Sequence, residues 1–378
     1  MHQWREVFSG LGLLVGMIVG AGMFALPYAV AEAGIFWGSV HMLVTCGVVT
    51  LIHLLYGEVV FATPGIHRLP GYAALYLGRW GKRAAFFSAL FGFYGALLVY
   101  GLLGGRFLQG LLGGNVVLWS LLFFVGAGSI LLFRLRRIGT VNFYLTFVLL
   151  VVIVVLSFLL FPHIALQRIP FSNSAAWFFP YGVFLFAFAG ASAIPDVADV
   201  FRKHNEKKFR LVVMLSTLIP LCIYALFILS VVGATGEKTT PEAIFGLEAV
   251  LGRKAIILGS LMGLLAVFTS FLTMGADLKN MFVYDYNLHP LFSWGLVVMV
   301  PILLFLFGFT NFIFILGLVG VVAVGIDGSL ILVSNMRSCK KNGPCRIGSA
   351  SLGRFLPWAL IVLLGLGVIY KVITIFNA

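Results

Sequence analysis

Charge is scarce in this sequence, and negative charge is the scarcest. The 378 residues include only 12 Asp and Glu and 25 Lys and Arg, whereas 61% of the residues are hydrophobic. An ordinary soluble domain is about 45–50% apolar and about 25% charged. So few charges could not cover the surface of a soluble fold of this length. The composition therefore predicts an integral membrane protein.

Other absences narrow the chemistry. No Gly-x-x-x-x-Gly-Lys-Ser/Thr stretch is present, so ATP is not expected to drive the protein. No cluster of His, Asp and Glu predicts a metal centre, and the two cysteines in the loop 339–345 cannot complete a structural zinc site alone. The net charge of +13 does not indicate a nucleic-acid partner, because long apolar segments separate the basic residues. We expect no enzyme activity, no cofactor other than a coupling ion, and no identifiable protein partner.

The long apolar segments predict the number of membrane crossings. A helix needs about 20 residues to cross about 30 Å of hydrocarbon. This length predicts eleven spans, numbered in chain order, at 7–32, 35–62, 85–112, 116–134, 140–162, 176–202, 209–233, 254–280, 290–308, 311–335 and 355–377.

The positions of the basic residues predict the orientation of these spans. If the N-terminus is cytosolic, 19 of the 25 Lys and Arg residues fall on the cytoplasmic side. Cytoplasmic loops of membrane proteins carry such an excess. The sequence therefore predicts a multi-pass protein of the cytoplasmic membrane, with its N-terminus inside and its C-terminus outside.

Two spans share an unusual motif. Gly22–Pro27 in span 1 and Gly190–Pro195 in span 6 both read Gly-x-x-Ala-aliphatic-Pro. Spans 2 to 5 have counterparts 7 to 10 at similar offsets, and five crossings bring the second set into the membrane from the opposite side. The pattern predicts an inverted repeat, typical of secondary transporters. The expected divisions are residues 1–162, residues 163–335, and a cytoplasmic loop with span 11 at 336–378.

The paired motifs predict helices that are broken at mid-membrane. Glycine weakens a helix, and proline removes one backbone donor and clashes with the preceding turn. The freed N–H and C=O groups must face protein or a polar cavity, because lipid cannot satisfy them. Freed N–H groups attract a carboxylate and freed carbonyls attract an ammonium group, which fits the zwitterion of an amino acid. The alternative is that both motifs are kinks that serve packing only.

The same residues resemble a known family. Val19–Pro27, Phe186–Pro195 and Leu69–Tyr72 are similar to stretches of the amino acid–polyamine–organocation superfamily, in particular the bacterial tryptophan/tyrosine permeases of its amino acid/auxin permease branch. The resemblance implies an all-α, LeuT-type fold. It has two inverted repeats of five helices, an eleventh helix, and breaks in helices 1 and 6. It also implies secondary transport of an amino acid.

The resemblance further implies a substrate site made mostly of backbone groups. N–H groups at the break in span 1 would bind the carboxylate, and carbonyls at the break in span 6 would bind the amino group. Aromatic side chains of spans 3 and 6 would wall the pocket. The substrate-binding candidates are Gly20, Ala21, Gly22, Tyr100, Phe186, Phe188, Ala189 and Gly190.

A sodium site is expected by the same resemblance. Ala266, Thr269 and Ser270 in span 8 match the Ala-x-x-Thr-Ser spacing of the LeuT-type sodium site, whose other ligands would be carbonyls of Gly16 and Val19 in span 1. The alternative is that both hydroxyls bond carbonyls of their own helix. Because Met23 stands where a further sodium site needs Asn, at most one sodium ion is predicted.

Proton coupling is the rival to sodium. Span 5 has no Lys that could replace the ion, and Ser192 stands where some relatives carry Glu, so sodium is favoured. Most tryptophan/tyrosine permeases are thought to be proton-coupled, which favours the rival. Ionisable residues within spans are functional candidates. Asp196 and Asp327 are the coupling or gating candidates, and Asp196 could instead form an ion pair with the cluster Arg202–Lys203.

The sequence thus predicts an ion-coupled symporter that imports a neutral amino acid, aromatic or branched, by alternating access. Two other classes of protein were weighed. A channel would need a continuous polar stripe, which no span has. A sensor with this fold would usually carry an added soluble domain, and the polar segments at 63–84 and 336–354 are too short for one.

Overall fold

The computed structural model describes residues 2–65, 67–133, 138–201, 205–342 and 352–376. Within these ranges the chain is helical and contains no β-strand. The α-helices are α1 (His2–Ile18), α2 (Leu26–Ala33), α3 (Ile35–Ala62), α4 (Leu69–Leu112), α5 (Val116–Ile130), α6 (Ile138–Leu160), α7 (Phe179–Phe188), α8 (Ile194–Phe201), α9 (Glu206–Thr235), α10 (Glu248–Leu251), α11 (Arg253–Asn280), α12 (Pro290–Leu306), α13 (Phe312–Asn342) and α14 (Leu352–Phe376).

Each predicted span overlaps at least one of these helices. Among the described residues, eight helical segments are long and apolar enough to cross a membrane, and the bent pair of α1 and α2 makes a ninth. The shorter apolar helices α5 and α12 occupy predicted spans 4 and 9. The helices α7 and α8 together occupy span 6, while the division into two repeats stays a prediction.

Span 3 is longer than predicted. Its helix α4 runs for 44 residues from Leu69, and the backbone turns at Gly78, where φ is 73° and ψ is −160°. The prediction began at residue 85 because a hydropathy window rejects the charged residues that come before it. Glycine adopts this positive φ without steric cost. The additional turns bring Leu69 and Pro70 to the mouth of the cavity described below.

The backbone of span 1 leaves helical geometry in its middle. The helix α1 ends at Ile18, and Gly20 is extended, with φ of −143° and ψ of −156°. A 3-10 turn at Ala21–Ala25 follows and leads into α2. The two halves of the span meet at an angle of 45°.

Span 6 has a comparable interruption. The helix α7 ends at Phe188, Ala189 is extended with φ of −61° and ψ of 127°, and Gly190 has φ of −155° and ψ of 8°. A 3-10 turn at Ala191–Ala193 then leads into α8. Both interruptions fall on the paired Gly-x-x-Ala-aliphatic-Pro motifs. We call the non-helical residues 19–20 and 189–190 the two breaks.

Glycine allows α7 and α13 to pack backbone against backbone. A Cβ atom on Gly320 would fall on the carbonyl oxygen of Gly182, and one on Gly182 would fall on the carbonyl oxygen of Gly317. Neither obstacle is a flexible side chain, so the helices would have to separate. Small residues commonly permit such close approach between membrane helices. This contact holds the first half of span 6 against span 10.

We expect Gly320→Ala to destabilise the protein by about 1–3 kcal/mol, the usual cost of overpacking. The measurement is the midpoint of thermal unfolding in detergent. Gly47→Ala is the matched control, because Gly47 is an exposed helical glycine with no atom within 4 Å of the added Cβ. Equal shifts in the two variants would contradict the close-contact explanation.

Candidate functional site

A cavity of about 450 Å³ begins at the break in span 6. Its walls come from α3, α4, α7, α8, α11 and α13, and Ala189 and Gly190 contribute the inner end. The other end is lined by Arg68 and Tyr284. The Tyr284 side chain is 69% exposed, so this end is open. It lies on the same side of the molecule as the start of α1, since Gly10 contacts Phe201 at the end of α8.

Aromatic packing closes the opposite side of the breaks. The ring of Phe24, in the turn after the break in span 1, lies 5.1 Å from that of Phe107 and 6.5 Å from that of Phe227, measured between centroids. All three side chains are fully buried. As far as the described residues show, the cavity therefore opens towards one face of the helix bundle and is closed towards the other.

The two breaks pack against each other. A Cβ atom on Gly22 would lie 3.0 Å from Cδ1 of Phe186 and 3.2 Å from Cα of Ala187. A Cβ atom on Gly190 would lie 2.8 Å from Cγ1 of Ile18 and 3.3 Å from Cε1 of His53. Glycine at both positions thus permits the close approach of spans 1 and 6. The sequence motif alone does not show which residues are in contact there.

The predicted substrate residues divide into two groups. The first lines the cavity and comprises Phe186, Ala189 and Gly190. The second is packed in the protein and is not part of the cavity wall in this conformation. It comprises Gly20, Ala21, Gly22, Tyr100 and Phe188. Within it, the side chain of Phe188 is fully buried and that of Tyr100 is 4% exposed.

Backbone groups at the breaks remain available to a ligand. Ala21 and Gly22 are the first residues of their 3-10 turn, so their N–H groups have no partner within that turn. On span 6, the carbonyl of Phe186 accepts a bond of 3.1 Å from the N–H of Ala189. A carbonyl has two lone pairs, so this oxygen can accept a second donor. Such groups are suited to a carboxylate and an ammonium group.

One further residue at the breaks has no signal in the sequence. The hydroxyl of Tyr224, in α9, lies 3.0 Å from the carbonyl oxygen of Ile18 and 3.1 Å from that of Ala187. Its ring lies 5.4 Å from the ring of Phe188. The buried tyrosine thus contacts both broken spans at once. From the sequence alone, a tyrosine in an apolar span is interpreted as an ordinary core residue. Only the fold shows which carbonyl groups its hydroxyl contacts.

The predicted sodium ligands lie where α11 meets the break in span 1. The Ser270 Oγ atom would be 3.0 Å from a Cβ atom placed on Gly20. The Thr269 hydroxyl donates to carbonyls of its own helix, at 3.0 Å from Leu265 and 3.1 Å from Ala266. Donation leaves the lone pairs of the Thr269 oxygen available to a cation. For Thr269 the structure therefore shows the helix bonds of the alternative, and these bonds leave its oxygen able to bind a cation.

Asp196 pairs with a residue that the sequence did not suggest. Its Oδ2 atom lies 3.0 Å from Nη1 of Arg68, which also donates to the carbonyl of Ser192 at 3.4 Å. The suggested partners, Arg202 and Lys203, lie outside the described residues. The two paired side chains are 46% and 51% exposed, and such exposed pairs contribute only about 0–1 kcal/mol. This pair stands at the mouth of the cavity, a position suited to gating.

Asp327 occupies a different environment. It lies on the wall of the cavity, as does Asp277. Its Oδ1 atom is buried and has no hydrogen-bond partner among the described residues. His53 and Tyr56 also line the cavity, and each has a buried polar atom without a partner there, Nδ1 and the hydroxyl oxygen. Polar and acidic side chains are therefore present on a cavity wall that is otherwise mostly apolar.

An ion pair joins two segments at the closed end of the bundle. The Nε atom of Arg106, near the end of α4, lies 3.3 Å from Oε1 of Glu242, in the loop between α9 and α10. Burial raises the pKa of Glu242, and the backbone N–H of the same residue and the charge of Arg106 oppose that rise. The pair fastens this loop to α4 on the side away from the cavity.

Solved transporters share this arrangement. The chain aligns with MhsT, solved in complex with L-phenylalanine, with a TM-score of 0.72 and 15% identity, over 95% of this chain and 98% of that chain. Mhp1, a nucleobase-cation-symport-1 family transporter solved in a closed conformation with bromovinylhydantoin bound, gives a TM-score of 0.65 and 12% identity, over 97% and 91%. The protein thus has the LeuT-type fold of secondary transporters, which confirms the predicted fold class.

The chain belongs to the tryptophan/tyrosine permease family, which it matches over residues 3–372. It is therefore a multi-pass membrane transporter of amino acids and not an enzyme. The family resemblance found in the sequence is confirmed.

Two bacterial relatives align with most of the chain. Tyrosine-specific transport system 1 of Haemophilus influenzae is 27% identical over 94% of this chain and 93% of its own length. Glutamine transporter 2 of Aliivibrio fischeri is 24% identical over 84% of this chain and 86% of its own length.

Proposed function

We propose that this protein imports a neutral amino acid, aromatic or branched, by symport with sodium. The observation that carries the proposal is the packing of two breaks against each other at the inner end of a cavity open to one side only. We orient the protein in the membrane by the distribution of its basic residues, which places the N-terminus in the cytosol. The cavity then opens to the cytoplasm, and the structure corresponds to a state that releases substrate.

In the proposed mechanism, backbone dipoles bind the amino acid. The N–H groups of Ala21 and Gly22 receive the carboxylate, and carbonyls around Phe186 and Ala189 receive the ammonium group. Phe186 forms part of the wall for the side chain. Sodium between α11 and the break in span 1 favours the conformation in which these groups face outward. Its departure and that of the substrate are thereby linked.

The names of related proteins support the substrate class. The two bacterial relatives are called transporters of tyrosine and glutamine, and MhsT was solved with L-phenylalanine. All three are neutral amino acids. The carboxylates of Asp277 and Asp327 do not contradict this choice, because they lie along the release path rather than at the breaks.

The test is uptake of a labelled amino-acid panel into proteoliposomes, with a sodium gradient or a proton gradient imposed separately. The panel comprises tyrosine, tryptophan, phenylalanine, leucine, glutamine, lysine and glutamate. We expect accumulation of at least one of the neutral members with the sodium gradient. Absence of uptake of every member under both gradients would overturn the proposal.

Proton coupling is the second candidate, favoured by Asp327 Oδ1, which is buried and has no hydrogen-bond partner among the residues that the structure describes. If a proton is carried there, Asp327→Asn should abolish accumulation driven by a proton gradient. It should retain exchange of labelled for unlabelled substrate, which needs no net proton movement. Asp196→Asn is the matched control, since it also removes a carboxylate at the cavity but one already paired with Arg68. Equal losses in both variants would contradict a proton site at Asp327.

A further inference from the structure

The broken halves of spans 1 and 6 are tied together by one hydroxyl group. Ile18 is the last residue of α1, and Ala187 is the last but one of α7. Their carbonyls consequently lack the backbone N–H that a continuous helix would supply four residues later. The Tyr224 hydroxyl lies 3.0 Å from the first oxygen and 3.1 Å from the second.

The surroundings make this contact costly to lose. Tyr224 has no exposed surface, and water therefore cannot replace its hydroxyl. A buried carbonyl that loses its donor bears the full penalty of desolvation. The hydroxyl carries a single hydrogen, which the two oxygens share. One donor thus serves both freed carbonyls, and a change in the separation of the breaks weakens at least one of the bonds.

We propose that Tyr224 is a positioning residue, which fixes the separation of the two breaks and so preorganises the backbone groups that bind the amino acid. This inference rests on the proposed function, because it assumes that the breaks hold the substrate. The hydroxyl supplies the positive end of a dipole between two carbonyls that would otherwise attract a cation. The point between Ile18 and Ala187 is therefore not a second ion site.

The neighbouring ring keeps the hydroxyl in place. The Tyr224 and Phe188 rings lie 5.4 Å apart, and Phe188 is itself fully buried. Phe188 was expected in the substrate pocket, but in this structure it supports Tyr224 rather than lining the cavity. Its effect on binding would then be indirect, through the position of the hydroxyl.

The test compares Tyr224→Phe with Tyr181→Phe in proteoliposomes, using the panel member that the wild type accumulates fastest. Tyr181 is the matched control, because it is also a buried tyrosine but its hydroxyl has no partner among the described residues. We expect Tyr224→Phe to raise KM about ten-fold, as for a buried hydrogen bond lost from a binding site. The maximal rate should change much less, and Tyr181→Phe should leave both parameters close to the wild type.

A second variant separates positioning from folding. Incorporation of 4-amino-phenylalanine at position 224 keeps the ring and restores a donor, so we expect it to recover most of the affinity that Tyr224→Phe loses. If Tyr224→Phe does not fold, the amino variant alone is compared with Tyr181→Phe, and a wild-type KM is expected.

The outcomes distinguish the two levels of the inference. An unchanged KM in Tyr224→Phe, or a loss of maximal rate at constant KM, would overturn the role of Tyr224 while the proposed function stands. A ten-fold higher KM in the amino variant would do the same. Absence of uptake by the wild type itself would overturn the proposed function, and the role of Tyr224 with it.

Discussion

Replacement of both Thr269 and Ser270 by alanine should weaken the activation of uptake by sodium more than about ten-fold. A sodium ion needs several oxygen ligands, and the double substitution removes two of the five expected, leaving the three carbonyls. Hydrogen bonds and contacts to charged groups are worth about 1.5–3 kcal/mol each, so the sodium concentration for half-maximal uptake should rise more than about ten-fold. The measurement is the initial rate of uptake at increasing sodium concentration and constant membrane potential.

Thr273→Ala is the matched control for that experiment. Like Thr269, Thr273 lies on α11 and donates its hydroxyl to a carbonyl of its own helix, that of Thr269 at 2.9 Å. It lies one turn further along, away from the break in span 1. If both substitutions weaken sodium activation equally, the effect comes from the helix. A half-maximal sodium concentration that stays at the wild-type value in the double variant would show that the ion binds elsewhere.

The sequence was sufficient to predict the class of fold because the membrane imposes strong local rules. Every span must be apolar for about 20 residues, and its backbone must bond within itself. Those rules place all eleven segments and draw attention to the two Gly/Pro motifs. They fail at the start of α4, where charged turns before residue 85 belong to the same helix.

The contacts of the site join residues that are far apart in the sequence, so rules that apply to one segment at a time cannot predict them. Tyr224 is 206 residues from Ile18 and 37 from Ala187, and only the folded bundle brings it between them. Asp196 and Arg68 are 128 residues apart. Charge proximity in the sequence suggested Arg202 and Lys203, which lie outside the described residues, and gave no sign of Arg68, which the fold brings to Asp196.

The conformational state is a second property that the sequence does not contain. An alternating-access protein uses the same residues in each state, so a pattern of residues cannot specify which side is open. Here the packing of Phe24 against Phe107 closes one side. Some candidates that were expected to contact the substrate, such as Tyr100, are packed in this state. Their predicted roles stay predictions, since a single state cannot test them.

Gly190→Val should reduce the maximal rate of uptake by more than about ten-fold, by separating the two breaks. The φ of Gly190 is −155°, which any residue can adopt, so backbone strain is not the cause. The obstacle is space. A Cβ atom would lie 2.8 Å from Cγ1 of Ile18 and 3.1 Å from Cδ1 of Leu14. Overpacking of this kind costs about 1–3 kcal/mol. Here it would destabilise the conformation in which the two breaks are in contact.

Gly317→Ala serves as the control, and Gly190→Ala is its counterpart of equal size. Gly317 is also buried against α7, but a Cβ atom there has ordinary contact only, at 3.9 Å from Cγ2 of Val183. All three variants are measured for uptake and for thermal unfolding in detergent. We expect the loss of uptake in Gly190→Val, and a smaller loss in Gly190→Ala, to exceed what the change in stability explains, and Gly317→Ala to retain transport. Wild-type transport by Gly190→Val would mean that the breaks need not touch during the cycle, because a packed interface that matters to every turnover cannot accept an added isopropyl group unnoticed.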